Sequence, residues 1–560
     1  MSKFYTNIQL AGDTVLYRGY EDGEPVQFRT QFSPTLYVTS GKKERMRTLT
    51  GKPVKPMQFQ TAREAREFIK TYDGVEKFEV HGYERFVYQY IRKEFPNEVD
   101  YDINQMKIYA MDIEVQCENG FPDVEAAAEE MLSITIKDMV TKKFYIWAVR
   151  DFETEHEHFI FDSERDMLKG FLEWWVQHTP DILTGWNVNL YDVPYIARRL
   201  NRILGEKWMK SLSPWNRANE REIYVQGRKN YAYDVSGVNI LDYLDLYRKF
   251  TYSNQESYRL DHIAFVELGQ RKLDHSEYEN FRDFYTRDWQ KFIEYNIQDT
   301  ELIDRLEDKM KLLELAITMS YDAKVNFEDV YSQVRMWDTM IYNYLADKNI
   351  VPPPRKGSKK DEKYAGAYVK EPIPGKYDWV VSFDLNSLYP HLIMQYNISP
   401  ETLWETRHPS ASVDRLLNQE VDLSGKFAVC ANGAQYRKDI KGFLPEMMEK
   451  IYTERVIYKK KMIQAKKDYE KSPSKQLEKD ISKFNNIQMA RKIQLNSAYG
   501  AVGNQYFRYY NLLNAEAITL SGQVSIRWIE NKMNQKMNKI LKTEDVDYVI
   551  ASDTDSIYLN

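Results

Sequence analysis

Cysteine is nearly absent: the 560 residues include two, Cys117 and Cys430, far apart in the chain. That excludes a disulfide framework and a multi-cysteine zinc site, and it fits a reducing compartment. Long apolar runs are missing too. No uninterrupted apolar span reaches membrane length, and the opening MSKFYTNIQL lacks the apolar core of a signal peptide, so a soluble intracellular protein with no membrane partner is expected. Nor is there a surplus of positive charge. With 78 Lys+Arg against 84 Asp+Glu the formal net charge is −6, so global charge does not mark a nucleic-acid binder.

What is present is length, local charge and well-placed carboxylates. A chain of 560 residues exceeds one ordinary domain and predicts roughly three or more units with cores of their own. From Lys441 to Gly500 there are 14 basic against 7 acidic side chains, a cationic stretch in an otherwise acidic chain. At Val381 to Pro390, VSFDLNSLYP, an apolar run stops at Asp384 and continues as a turn. Near the end, YVIASDTDSIYL (548–559) has the pattern of a strand, a tight turn at Asp553 and Asp555, and a second strand. If the two segments pair in one sheet, Asp384 and Asp555 face each other across it. Such an oxygen-rich site suits Mg²⁺, and paired ions clamp the attacking and leaving oxygens of a phosphoryl transfer. Aspartate beside a turn also has a plain structural reading, because its side chain satisfies nearby backbone groups.

The first hundred or so residues read as a supporting domain. Phe4 to about Thr39 predicts a small antiparallel sheet, and Ala62 to Tyr72 a helix. In Lys107 to Val115, Asp112 and Glu114 sit two apart, which places both carboxylates on one face of a strand. Strands at 131–137 and 143–149 follow, then a helix over 163–178 and a strand ending at Gly185-Trp186-Asn187. Asp192 precedes an amphipathic segment, and the preference for acidic groups at a helix start accounts for it structurally. A helix from Asp288 to about Met319 carries Tyr295 and Asp299, four apart on one face. A mid-helix aspartate beside the buried stripe of Phe292, Ile293, Leu302 and Ile303 is less easily explained by capping. Four carboxylates, Asp112, Glu114, Asp192 and Asp299, therefore suggest a ribonuclease-H-like exonuclease with two divalent ions and Tyr295 orienting the attacking water. The acidic Leu241 to Asp245 stretch reads as structural, with Asp242 and Asp245 as helix neighbours. IYVQGRKNYAYDV (223–235) reads as a hairpin turning near Gly227 to Asn230.

Val351 to Lys363, rich in proline and charge, predicts a linker or boundary. Leu444 to about Lys471 and Lys479 to about Asn496 predict an antiparallel pair of helices joined around Ser472-Pro473-Ser474. Arg455 and Lys459 are four apart on the first; Lys492, Asn496 and Tyr499 form one stripe beside the second. Two cations facing such a stripe suit a triphosphate and a stacked base.

These residues resemble the motifs of family B replicative DNA polymerases, in the family's order and across essentially the whole chain. Asp112-Ile113-Glu114, Asn187 with Tyr191-Asp192, and Tyr295 with Asp299 look like the exonuclease motifs. Asp384 to Pro390, Lys492 to Gly500, and Asp553 to Ser556 look like the polymerase motifs. The stretches 364–374 and 397–400 are similar to T-even type bacteriophage replicases. The resemblance implies an α/β and α+β multidomain protein: a β-rich N-terminal domain (1–106, with a return segment at 317–352), a ribonuclease-H-like 3′-to-5′ exonuclease domain (107–316), a palm with an antiparallel sheet (353–441 and 504–560) and helical-hairpin fingers (442–503). It implies template-directed nucleotide addition with proofreading, in the cytoplasm of an infected bacterial host. Two Mg²⁺ per active site are implied, with Mn²⁺ as substitute. Asp112, Glu114, Asp192, Asp299, Asp384 and Asp555 would be the metal ligands, with Tyr295 and Asp553 catalytic beside them. Ser387, Leu388, Tyr389, Arg455, Lys459, Lys492, Asn496 and Tyr499 would bind the nucleotide, and Tyr389 would exclude ribonucleotides.

Three departures stand out: His391 follows the tyrosine-proline pair where a small serine is usual, Ala367 replaces the second glycine of a YxGG motif, and the sequence ends within the strand after Asp555. The expectation is the N-terminal part of a polymerase whose thumb is absent. Its partners would be primer-template DNA, dNTPs, a C-terminal polypeptide carrying the thumb, and a sliding clamp reached through that part. The alternative is a stand-alone 3′-to-5′ exonuclease whose polymerase half is inactive.

Overall fold

The computed structural model describes residues 3–76, 78–117, 120–225, 227–251, 253–355 and 364–560. The chain divides into two compact units: Met1–Pro34, Phe59–Glu67 and Arg85–Tyr331 form one, and Thr35–Gln58, Phe68–Glu84 and Ser332–Asn560 the other.

The first unit is built on a six-stranded sheet. Its strands are β1 (Ile108–Val115), β2 (Met131–Asp138), β3 (Phe144–Ala148), β4 (Glu157–Ile160), β5 (Ile182–Thr184) and β6 (Asn239–Ile240), in the spatial order β4-β3-β2-β1-β5-β6. β1, β2 and β3 pair antiparallel, whereas β4, β5 and β6 each join parallel to a neighbour. Helices α1 (Glu164–His178) and α2 (Asp192–Ile203) precede the parallel strands β5 and β6, whereas β4 follows β3 through residues 149–156 without a helix. β1 is central, and its near-continuous apolar sequence IYAMDIEV matches burial on both faces. Ser163 caps α1, its Oγ accepting from the Asp166 amide at 3.2 Å. β4 was not expected from the sequence; its pattern is exposed at three of four positions, so it carries almost no apolar signal.

Four other expectations shift. The helix expected over 288–319 is two: α4 (Trp289–Met310) and α5 (Leu312–Ala323), broken at Lys311 with φ +57°. The buried Glu307 explains the break, because its carboxylate accepts from the Leu313 and Glu314 amides (3.0 and 3.2 Å) and so caps the second helix. The hairpin runs Ala218–Val225 and Arg228–Val235, so Arg228 to Asn230, expected in the turn, belong to the second strand; residue 226 is outside the described residues. In the N-terminal stretch, Lys3–Ala11, Thr14–Glu21 and Glu24–Gln31 form the antiparallel sheet, but Thr35–Thr39 pairs instead with Val54–Gln58 and Val80–His81. Asp242 is not a neighbour of Asp245 within a helix; it caps α3 (Tyr243–Phe250) from outside. The helix over Ala62–Tyr72 forms as read.

The second unit holds a four-stranded antiparallel sheet of β7 (Val369–Lys370), β8 (Val381–Asp384), β9 (Val549–Asp553) and β10 (Ser556–Leu559), ordered β7-β9-β10-β8. The two segments singled out in the sequence thus share one sheet, but β8 pairs with the strand after the turn: Val381 lies opposite Leu559, and the register partner of Asp384 is Ser556 rather than Asp555. Helices α6 (Leu388–Tyr396), α7 (Phe443–Lys471), α8 (Lys475–Val502) and α9 (Leu512–Leu541) complete it. α8 starts a turn earlier than expected because the Ser474 Oγ accepts from the Leu477 amide (3.2 Å), and it continues past Asn496 through Gly500. Gly500 is there for close approach: a Cβ would lie 2.5 Å from Gln333 Oε1. Met447, Met448 and Ile451 of α7 and Leu495 and Ala498 of α8 bury one common core. Of the expected boundary 351–363, residues 356–363 lie outside the described residues. Cys117 and Cys430 are free thiols, and among the described residues no helix is long and apolar enough to cross a membrane.

Candidate active sites

In the first unit, sheet register and one helix assemble the carboxylates. Asp112 and Glu114 share a face of β1, opposite Thr135 and Ser133 of β2. α4 packs over both strands and brings Tyr295 and Asp299 to the same place, where ligand atoms of Asp112, Glu114 and Asp299 all lie within 4.8 Å of one another. Asp192 arrives by another route. β5 pairs with β1 only as far as Thr184 opposite Ala110 and then turns away at Gly185, where a Cβ would meet Met111 O at 2.5 Å. The Ile113 amide, left without a strand partner on that side, donates to Asp192 Oδ1 at 3.1 Å. Asp242 holds the turn before it, accepting from the Asn187 and Asn189 amides at 3.0 and 2.9 Å. The cleft has a volume of about 850 Å³, and Phe121, Trp186, His275 and Phe281 line it together with the acids.

Burial dominates the electrostatics. It pushes the Asp112 and Glu114 carboxyls well above the usual range, with Asp299 and Asp192 adding like-charge repulsion. Burial likewise raises Asp192 to about 7, against the lowering effect of its backbone donors, and Asp299 to about 6, against Lys272. Lys272 escaped the sequence reading, since it sits in a loop with no periodicity. Its Nζ pairs with Asp299 and donates to the Tyr295 hydroxyl at 2.6 Å. Burial alone would lower this ammonium, but Asp299, Tyr295 and Asp112 hold it above its ordinary value. Asn296 also went unread: wholly buried on α4, it donates from Nδ2 to Asp112 Oδ2 at 2.6 Å. A polar residue three before Asp299, on the buried stripe, was the available signal. Clustered hard oxygens, with Asp299 Oδ1 buried and lacking a hydrogen-bond partner among the described residues, fit a divalent cation.

In the second unit, Asp384 ends β8 and the next amide, Leu385, donates to Asp555 O at 2.7 Å. The β9–β10 turn passes through Thr554 at φ +51°, setting Asp553 and Asp555 on either side. Burial raises the Asp555 carboxyl, and Asp384 adds to it. Asp384 and Asp553 are solvent-exposed; among the described residues only the Asp112 group brings three donors within 4.8 Å. Ser387, left-handed at φ +54°, precedes α6, and Arg455 Nη1 donates to its Oγ at 3.3 Å. Leu388 is buried, so its side chain belongs to the core. Tyr389 lies on Tyr499 (ring centroids 4.7 Å), and Tyr499 shares a hydrogen bond with Tyr364 at 3.0 Å. The Tyr389 ring sits against α9, where a Cβ on Gly522 would meet it at 3.1 Å. Burial lowers Lys492, and the positive charges of Arg455 and Lys459 lower it further, so the three cations are near neighbours. Asn496, on the same face of α8, is exposed.

Comparison with known proteins matches two segments of the chain. Residues 78–263 match the model described as DNA polymerase family B, exonuclease domain, and residues 325–560 match DNA polymerase family B. Tyr295 and Asp299 fall between the two matched segments. The chain is 31% identical to the DNA-directed DNA polymerase of Escherichia phage RB69 and 32% identical to that of Enterobacteria phage T4, in alignments covering 100% of this chain and 70% of each relative. A DNA polymerase of Pyrococcus glycovorans is 25% identical over 81% of this chain and 53% of its own length. With both segments matched in order, and whole-chain similarity to two phage enzymes, the chain belongs to the family B DNA polymerases and is a DNA-directed DNA polymerase with an exonuclease domain.

Proposed function

We propose that the Asp112 cleft removes nucleotides from a 3′ end and that the Asp384–Asp555 sheet end adds them, each with Mg²⁺ held by its carboxylates: Asp112, Glu114, Asp192 and Asp299 in the first, Asp384 and Asp555 in the second. The observation that carries this is the gathering of Asp112, Glu114 and Asp299 in an open cleft of about 850 Å³, with one Asp299 oxygen that has no hydrogen-bond partner among the described residues. The sheet order and the four carboxylates support a ribonuclease-H-like fold for this domain. Bound divalent ions lower the pKa of a water and offset charge on the phosphate. The chain's own groups do the rest. Phe121, Trp186 and Phe281 offer faces on which the last bases of a frayed strand stack. The Tyr295 hydroxyl accepts from Lys272, so its own proton is free to orient the attacking water.

At the second site, Arg455, Lys459 and Lys492 bind the triphosphate of an incoming dNTP, and Asn496 lies beside them. Ser387 and Leu388 offer backbone at the phosphate tail, Tyr389 bars a 2′-hydroxyl, Tyr499 lines the base-pair pocket, and Asp553 stands next to the metal-binding pair. The domain limits implied by the family resemblance, and the bacterial cytoplasm as location, belong to this reading. β8 is a sheet edge with Val381 and Phe383 half exposed and Trp379 85% exposed before it. Such an edge supports a further polymerase segment, carrying the thumb, that covers it when DNA is gripped.

The test is Asp112→Ala on a primed template with a mismatched 3′ end. Excision should fall at least about 100-fold, since losing a ligand removes several kcal/mol of charge stabilisation, while dNTP binding stays intact. Unchanged excision would remove the first site from the account. The second reading, an exonuclease with an inert polymerase half, is favoured by the open, exposed setting of Asp384 and Asp553; dNTP binding abolished by Lys492→Ala argues against it.

A further inference from the structure

We propose that Asn296 is a positioning residue for the excision centre, set by the hydroxyls of Ser133 and Thr135 so that its amide N–H holds one oxygen of Asp112 and leaves the other for the cation. This rests on the metal-dependent reading of the cleft. Asn296 is 0% exposed, as are Ser133 and Thr135. Its Oδ1 accepts from Ser133 Oγ at 3.1 Å and from Thr135 Oγ1 at 2.5 Å, and its Nδ2 donates to Asp112 Oδ2 at 2.6 Å. Chemistry sets the direction of the amide in the ion-loaded site: a carboxylate that ligates a cation is ionised and only accepts, so the donating end faces Asp112 and the carbonyl faces the hydroxyls.

The geometry comes from two registers. Across the sheet, Thr135 stands opposite Asp112 and Ser133 opposite Glu114, so the hydroxyls and the acids share one face. Along α4, Asn296 and Asp299 are three apart and turn to the same side. One side chain therefore links strand β2, strand β1 and the helix that supplies Asp299. A ligand held this way keeps its rotamer before the ion arrives, and lost outer partners weaken metal affinity in comparable sites by about 10–100-fold.

The experiment measures Mn²⁺ binding to the full chain by electron paramagnetic resonance, beside melting temperature in EDTA. Asn296→Ala should weaken Mn²⁺ binding about 10–100-fold while the metal-free protein still melts cooperatively. Thr135→Val, close in volume, frees the carbonyl end and should weaken binding by at least about threefold. It decides the matter if Asn296→Ala fails to fold. Asp112→Ala is the reference and should abolish tight binding. If Asp112→Ala leaves binding unchanged, the cleft is no metal site; if Asp112→Ala abolishes it but the other two stay within twofold of the unsubstituted protein, the positioning role is wrong.

Discussion

Single side chains in the cleft work against the stability of the protein that carries them. Asp192 and Asp299 are raised to about 7 and about 6, and Asp112 and Glu114 well above the ordinary range, chiefly by burial. A carboxyl raised on folding binds its proton more tightly in the folded state, so its favourable contribution is complete below the unfolded value near 4 and is lost as pH climbs through the folded value. The melting temperature in EDTA should therefore drop between pH 5 and pH 8, and Mg²⁺ should restore it at pH 8 by binding the folded state. Asp192→Asn should remove part of the drop, roughly 1–4 kcal/mol at pH 8. A flat profile that Mg²⁺ does not move would contradict this. Lys272 offsets one of these charges, and Lys272→Met should deepen the drop.

Elements show how much of this was open to reading from residues alone. That β8 and the β9–β10 hairpin share one sheet follows from two apolar runs, β8 and β9, that each stop at an aspartate, and the α7–α8 pair follows from its length and its Ser-Pro-Ser turn. Asp112 and Glu114 are legible because a strand alternates. The break at Lys311 was hidden, since the cap that causes it, Glu307, lies four residues earlier and reads as another helical acid. β4 was hidden because it is mostly exposed, and Lys272 because loops carry no period. Tyr389 was legible but its footing was not: Gly522, far along the chain, leaves room for the ring. Gly522→Val should push that ring aside and raise the KM for dNTP about tenfold or more, a loss of one pocket wall worth roughly 1–3 kcal/mol, without changing excision. Unchanged dNTP kinetics would show that the ring's seat is unimportant.

At the scale of the molecule, each unit closes on itself through buried polar ties between distant stretches. In the second unit the fully buried Arg508 side chain pairs with Glu84, reaches Asp338 Oδ1 at 3.0 Å and donates to Pro353 O at 2.8 Å. Removing it takes a charged partner from Asp338, which is 4% exposed. Arg508→Ala should cost about 3–5 kcal/mol and lower the melting transition of that unit, leaving excision by the first unit in place. A shift of under a degree would mean the tie is idle.

Two carboxylate centres with separate tasks are the core of the account, and paired substitutions on one primed template test it most directly. Asp112→Ala should abolish excision and spare dNTP binding and addition, whereas Asp384→Ala with Asp555→Ala should abolish addition and spare excision. Loss of both activities with either substitution, in protein that still melts like the unsubstituted chain, would contradict it.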